Sequence, residues 1–282
     1  MSFGQTIALG ALAGFTIYIG LPLARLRLLS DVWRVALAMF AVGVLAFLFV
    51  DVMEHWFEIV ESAVTGLKDG GGSFGHVLWL ALLLGGGFAL GSAGLSILEV
   101  WMRRGSGTQP PMSGASAEIT MEDAAALEQQ ARARALRTGM TIAAAIGLHN
   151  FAEGLAIGVS ANTGEISLAT VLIVGFALHN ATEGFGIVGP LGSVRPTWGW
   201  LALAGLIGGS PVLLGSIVGY NVTSEPLELA FYAVSGGAIL YVIGEVWTAM
   251  RRYGYRELGL CLLAFGFFVG IATDLIVAYG GG

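Results

Sequence analysis

Charge is scarce in this chain of 282 residues. Asp, Glu, Lys and Arg together make up 11% of it, where a soluble domain carries about 25%. So few charges cannot coat a globular surface. With 56% hydrophobic residues and a mean hydropathy of +0.80, the composition is that of an integral membrane protein. Basic residues are outnumbered, 13 Lys+Arg against 19 Asp+Glu, which excludes a strongly basic binding face and a nucleic-acid partner. There is one cysteine, Cys261, so neither an intrachain disulfide nor a cysteine-based zinc cluster can form. The opening MSFGQTIALGALAGF has no positive charge before its apolar run, and a removable signal peptide is not expected. No GxxxxGK[ST] phosphate loop occurs, so direct ATP hydrolysis is not expected. Nor are there the ~10-residue alternating segments of a transmembrane β-barrel.

Long apolar runs are present instead. A helix needs about 20 mostly apolar residues to cross a bilayer. Eight stretches qualify, at roughly 5–24, 35–57, 77–101, 138–161, 166–189, 198–219, 228–250 and 258–279. The expected fold class is an all-α integral membrane protein, a bundle of eight transmembrane helices. Its parts are helices one to three over 1–102, a cytoplasmic loop over 103–137, and helices four to eight over 138–282.

The basic residues set an orientation. Arg25, Arg27 and Arg34 fall in the first loop, and Arg103, Arg104, Arg132, Arg134 and Arg137 flank the third. Arg195 lies in the fifth loop, and Arg251, Arg252 and Arg256 in the seventh. That places 12 of 13 in odd-numbered loops, with only Lys68 in the second. Cytoplasmic loops collect Lys and Arg, so both termini are expected outside. Within the long third connection, RRGSGTQPPMSGAS has a loop composition. The following AEITMEDAAALEQQARARALRTGM reads as an Ala-rich helix entering the fourth span, with acids first and arginines last, as the helix dipole favours. Six GxxxG pairs (Gly10/Gly14, Gly87/Gly91, Gly154/Gly158, Gly205/Gly209, Gly215/Gly219 and Gly266/Gly270) predict close helix packing.

Polar residues inside the spans concentrate in a repeat. LHNFAEG at 148–154 and LHNATEG at 178–184 share Leu-His-Asn-x-x-Glu-Gly, displaced by 30 residues. His149 and Glu153 are four residues apart and share a helix face, as do His179 and Glu183. The connection near 162–165 is short, so the two helices are antiparallel neighbours and the pairs meet at about one depth. Two imidazoles and two carboxylates then form an N₂O₂ set, suited to Zn²⁺ or another first-row divalent ion; a hard oxygen cage would favour Mg²⁺ or Ca²⁺. Asn150 and Asn180 lie beside their glutamates and are candidates for bound water or a weaker second site. A single buried His/Glu pair also serves as an interhelical hydrogen bond. Two copies bring four ionisable groups to one place, and without a cation the carboxylates would repel and share protons.

The doubled HNxxEG on the fourth and fifth of eight spans resembles the ZIP (ZRT/IRT-like) family of divalent metal transporters. ALGALAGFTIYIG, FVDVMEH, GGSPVLLGSIVG and SGGAILYVIGE resemble the family's first, second, sixth and seventh spans. The resemblance implies metal transport toward the cytoplasm, with spans one, four, five and six sliding as a bundle against the rest. It implies Zn²⁺ as the first-choice substrate, with Fe²⁺, Mn²⁺ and Cd²⁺ as the other candidates, and a cell membrane, plasma or bacterial inner, as the location. Metal ions, the bilayer and a second copy of the chain are the expected partners. Three departures matter. Ala152 and Thr182 stand where members have proline before each glutamate, which argues against local unwinding there. Ser210 precedes Pro211 where many bacterial members have Glu, and Asn180 stands where Asp is frequent. The third loop lacks the histidines common in the family. One principal metal with a weak second position is therefore expected.

Lesser candidates line the expected pathway. Asp51, Glu54, Glu58 and Glu61 follow three- and four-residue steps beside His55 and read either as a cation-collecting stripe or as a solvated helix end. Ser210 borders the second position, and the resemblance suggests an exit-path role for Glu245. Glu99 and Asp274 have no assigned role, and His76 is expected at an interface. The competing functional classes are an intramembrane metal-dependent hydrolase, which HExxH would have favoured and which is absent, and a membrane metal sensor.

Overall fold

The computed structural model describes residues 1–25, 30–104, 121–163, 166–221 and 224–281. Arg27, Glu165 and the loop residues 105–116 lie outside them. The described residues form ten α-helices: α1 Phe3–Phe15, α2 Ile17–Gly20, α3 Asp31–Lys68, α4 Phe74–Ala89, α5 Leu95–Arg104, α6 Met121–Thr163, α7 Ile166–Val188, α8 Trp198–Asn221, α9 Glu225–Arg251 and α10 Arg256–Gly281. Among the described residues, seven helical stretches are long and apolar enough to cross a membrane, where the sequence reading expects eight. The fifth expected span corresponds to α7, a helix of 23 residues that is not one of those seven.

Two helices are longer than their apolar runs. α3 has 38 residues and does not stop at the acidic cluster, because charge makes a helix face polar without breaking it. It ends at Lys68, capped by Asp69 and followed by Gly70 at φ +82°, the left-handed position that closes a helix. α6 has 43 residues, since the Ala-rich segment joins the fourth apolar run with no Gly-Pro punctuation between them. The first span is interrupted instead. The Thr16 hydroxyl donates to Ala13 O at 2.6 Å, competing with the main-chain ladder, and α1 gives way to α2 there.

The six GxxxG pairs named for the spans all sit where helices touch. Gly154 and Gly158 face the backbone carbonyls of Val212 and Ser216, and Gly215 and Gly219 face those of Phe151 and Leu155, joining α6 to α8. Gly14 meets Gly209 O between α1 and α8, and Gly20 meets Ala181 O between α2 and α7. A second set joins the other helices: Gly43 and Gly266 lie against the backbone of α10 and α3, and Gly91 and Gly237 against that of α9 and α4. A methyl group at these positions would strike main chain. The glycines thus join α1, α2, α6, α7 and α8 into one body, and among the remaining helices pair α3 with α10 and α4 with α9. Glycines facing across the seam meet side chains: Gly189 meets Ala38, and Gly192 meets Arg252 and Tyr253.

Polar contacts sort the connections to two ends. Arg25 donates to Pro196 O at 2.5 Å, Arg132 to Arg195 O at 3.1 Å and Arg252 to Pro190 O at 3.1 Å. The expected first, third, fifth and seventh loops therefore meet at one end. At the other end, the Met1 amine donates to Ala161 O at 3.3 Å and the Tyr220 hydroxyl to Met1 O at 3.3 Å.

Candidate metal centre

α6 and α7 run unbroken through both copies of the repeat, as the missing prolines lead one to expect. The four-residue step puts His149 Nε2 2.9 Å from Glu153 Oε1 on the same helix face. Across the helix pair, His179 Nε2 contacts the same Glu153 oxygen. Glu183 Oε1 lies 4.0 Å from His149 Nε2. The imidazole rings are 6.4 Å apart between centroids. His149, Glu153 and His179 offer ligand atoms all within 4.8 Å of one another. Bonds of about 2.0 Å to a tetrahedral Zn²⁺ would hold ligand atoms roughly 3.3 Å apart, so these three need only small adjustments to share an ion.

The set is buried: Glu153 is 5% exposed and Glu183 1%. Glu153 Oε2, both Glu183 oxygens, Asn150 Oδ1 and Asn180 Oδ1 lack a hydrogen-bond donor among the described residues. Each such orphan costs about 1–3 kcal/mol. The ion pairs described here are all with histidine; no Lys or Arg among the described residues neutralises the glutamates. Acceptors without donors, beside two carboxylates, are the chemistry of a cation site, and a divalent ion would balance both charges.

The asparagines are oriented from behind. Asn150 Nδ2 donates to Gly208 O at 2.8 Å, on α8 three residues before Pro211. Asn180 Nδ2 donates to Ala13 O at 3.3 Å, the carbonyl that also accepts the Thr16 hydroxyl. These bonds fix which way each amide points, each nitrogen keeps a second N–H, and both Oδ1 atoms are left as acceptors.

A cavity of about 480 Å³ reaches His149, Glu153 and His179. Glu183 is not in its wall and lies behind His149. Asp51 and His55 of α3, Glu228 and Tyr232 of α9 and Asp274 of α10 line the approach. His55 Nδ1 is 3.0 Å from Asp51 O, and its ring packs on Tyr232 at 5.1 Å between centroids. The expected acidic stripe is split: Asp51 faces the cavity, while Glu54, Glu58 and Glu61 are exposed. Ser210 and Glu245 are half-buried and outside the cavity wall. His76 is exposed, 3.8 Å from Glu225.

Three contributors escaped the sequence reading. Ser235, whose Oγ lies 2.8 Å from His149 Nδ1, is one small residue among many in α9. Glu228 reads as an ordinary first-turn acid, and Tyr232 as core. Asp274, unassigned by sequence, joins the cavity because α10 packs along α3.

No family model matches this chain. The zinc transporter ZupT of Clostridium perfringens is 29% identical over 147 residues, which is 50% of this chain and 51% of that protein. The chain thus spans about half the length of the curated relative it matches. The similarity to a protein named a zinc transporter agrees with the resemblance carried by the repeat. Together with the apolar helices, it makes this a multi-pass membrane protein.

Proposed function

We propose that the chain transports divalent metal cations, Zn²⁺ foremost, toward the cytoplasm through His149, Glu153, His179 and Glu183. The observation that carries this reading is the doubled His/Glu pair, buried and converging on one Glu153 oxygen. Asn150 and Asn180 flank it as a weaker oxygen position. The cavity supplies the route in, with Asp51, Glu228 and Asp274 drawing cations toward the centre. Its wall runs to Ser160, Glu228 and Ala278, residues near the helix ends on the Met1 side of the bundle. The arginine-rich end is opposite, and by the positive-inside rule it faces the cytoplasm. Eight spans, α7 included, with both termini outside, follow from that assignment. The division of helices by glycine contacts supports movement of α1, α2, α6, α7 and α8 as a unit against the others.

The test is metal uptake into sealed vesicles containing the purified protein. Zn²⁺ should enter vesicles holding the wild type and fail to enter those holding Glu153→Ala or Glu183→Ala. Normal uptake by both variants would place the pathway elsewhere. Bound metal without any uptake would make the protein a sensor.

A further inference from the structure

Of the polar contacts that hold the centre, two stay within one welded body. Asn150 bonds to α8 and Asn180 to α1, both on the side of α6 and α7. The contact of His149 is different. Its Nδ1 lies 2.8 Å from Oγ of Ser235, on α9, which no glycine contact ties to the body of α6 and α7. His149 is 2% exposed, and Ser235, outside the cavity wall, is fully buried.

An imidazole binds a metal through one nitrogen and carries its proton on the other. Nε2 is the nitrogen that faces Glu153 at 2.9 Å and Glu183 at 4.0 Å, so the metal-binding tautomer has its proton on Nδ1. The acceptor standing at Nδ1 is Ser235 Oγ. We propose that Ser235 is a positioning residue which accepts the Nδ1 proton of His149, fixing the ring and the tautomer that present Nε2 to the metal. This rests on the reading of His149 as a metal ligand. It also has a consequence for release. The bond ties the body of α6 and α7 to α9, so it is made only at the depth seen here. A shift of that body past α9 by a single helical turn, about 5.4 Å, breaks it. His149 then loses the partner that orients it, and the grip on the metal loosens as the site moves.

The experiment compares wild type, Ser235→Ala and Ser235→Cys as full-length protein in detergent. Cysteine keeps nearly the volume of serine with a much weaker acceptor, so it reads the same interaction if the alanine variant does not fold. Equilibrium Zn²⁺ titration should show affinity about tenfold or more weaker in the variants, the usual loss when a metal-bound histidine loses its outer partner. With four histidines in the chain, ¹⁵N-histidine spectra of the Zn²⁺-loaded protein can resolve His149. Its Nδ1 proton should be hydrogen-bonded and slow to exchange in the wild type, and shifted and fast to exchange in the variants. A folded variant with affinity within twofold of wild type overturns the proposal, as does an unchanged Nδ1 proton. A wild type that binds no Zn²⁺ would instead refute the ligand assignment on which it stands.

Discussion

Glu153→Gln removes one negative charge from the centre and little else. The side chain keeps its length and one carbonyl oxygen, and Glu153 is 5% exposed. In the wild type a single oxygen, Oε1, meets both His149 Nε2, at 2.9 Å, and His179 Nε2. It is the atom through which the two halves of the repeat are joined. Breaking one partner of a buried charged set costs about 3–5 kcal/mol. At about 1.4 kcal/mol per power of ten, metal affinity should fall by roughly two to four powers of ten. Competition titration against a chelator of known affinity measures this directly, and uptake into vesicles should vanish in parallel. Glu54→Gln is the matched control, because Glu54 is exposed and outside the cavity wall; its affinity and uptake should equal wild type. If folded Glu153→Gln binds Zn²⁺ within tenfold of wild type, the shared oxygen is not a metal ligand and the charge argument fails.

Affinity should also depend on pH. Free imidazole titrates near ~6.5 and Glu near ~4.3, and both must be deprotonated to bind metal. Between pH 7 and pH 5 protons therefore compete with the metal for its ligands, and equilibrium Zn²⁺ affinity should fall at least about tenfold; a flat profile would argue against a ligand set of titratable side chains. With exposed Cys261 changed to serine and a cysteine added at the C-terminus, impermeant thiol reagents should label the protein from outside the cell, and labelling from the cytoplasmic face alone would reverse the topology. Titration should give a stoichiometry near one in the wild type and rise in Ser210→Glu/Asn180→Asp, which adds carboxylates beside the first ion; two tight sites in the unmodified chain would show that the orphaned asparagine oxygens suffice.

Periodicity and composition were enough to nominate the candidate centre. A four-residue step on a helix puts His149 over Glu153 whatever surrounds them, and a short connection makes α6 and α7 antiparallel, so the doubled motif could be read directly as a converging set. The six GxxxG pairs likewise announced close packing, since only a missing side chain lets two backbones touch. Apolar length was a weaker guide to helix ends, because helices such as α3 and α6 continue through polar residues that merely leave the apolar layer. Tertiary structure decided everything that depends on which helix faces which. It put Glu183 behind His149, turned Glu54 and Glu58 away from the cavity while Asp51 faced in, and brought Glu228 and Asp274 from distant helices to the approach. Ser235 is the clearest case. A buried serine in a run of small residues carries no pattern of its own, and its role exists only because α9 crosses α6 at the depth of His149, where a buried imidazole N–H must find an acceptor.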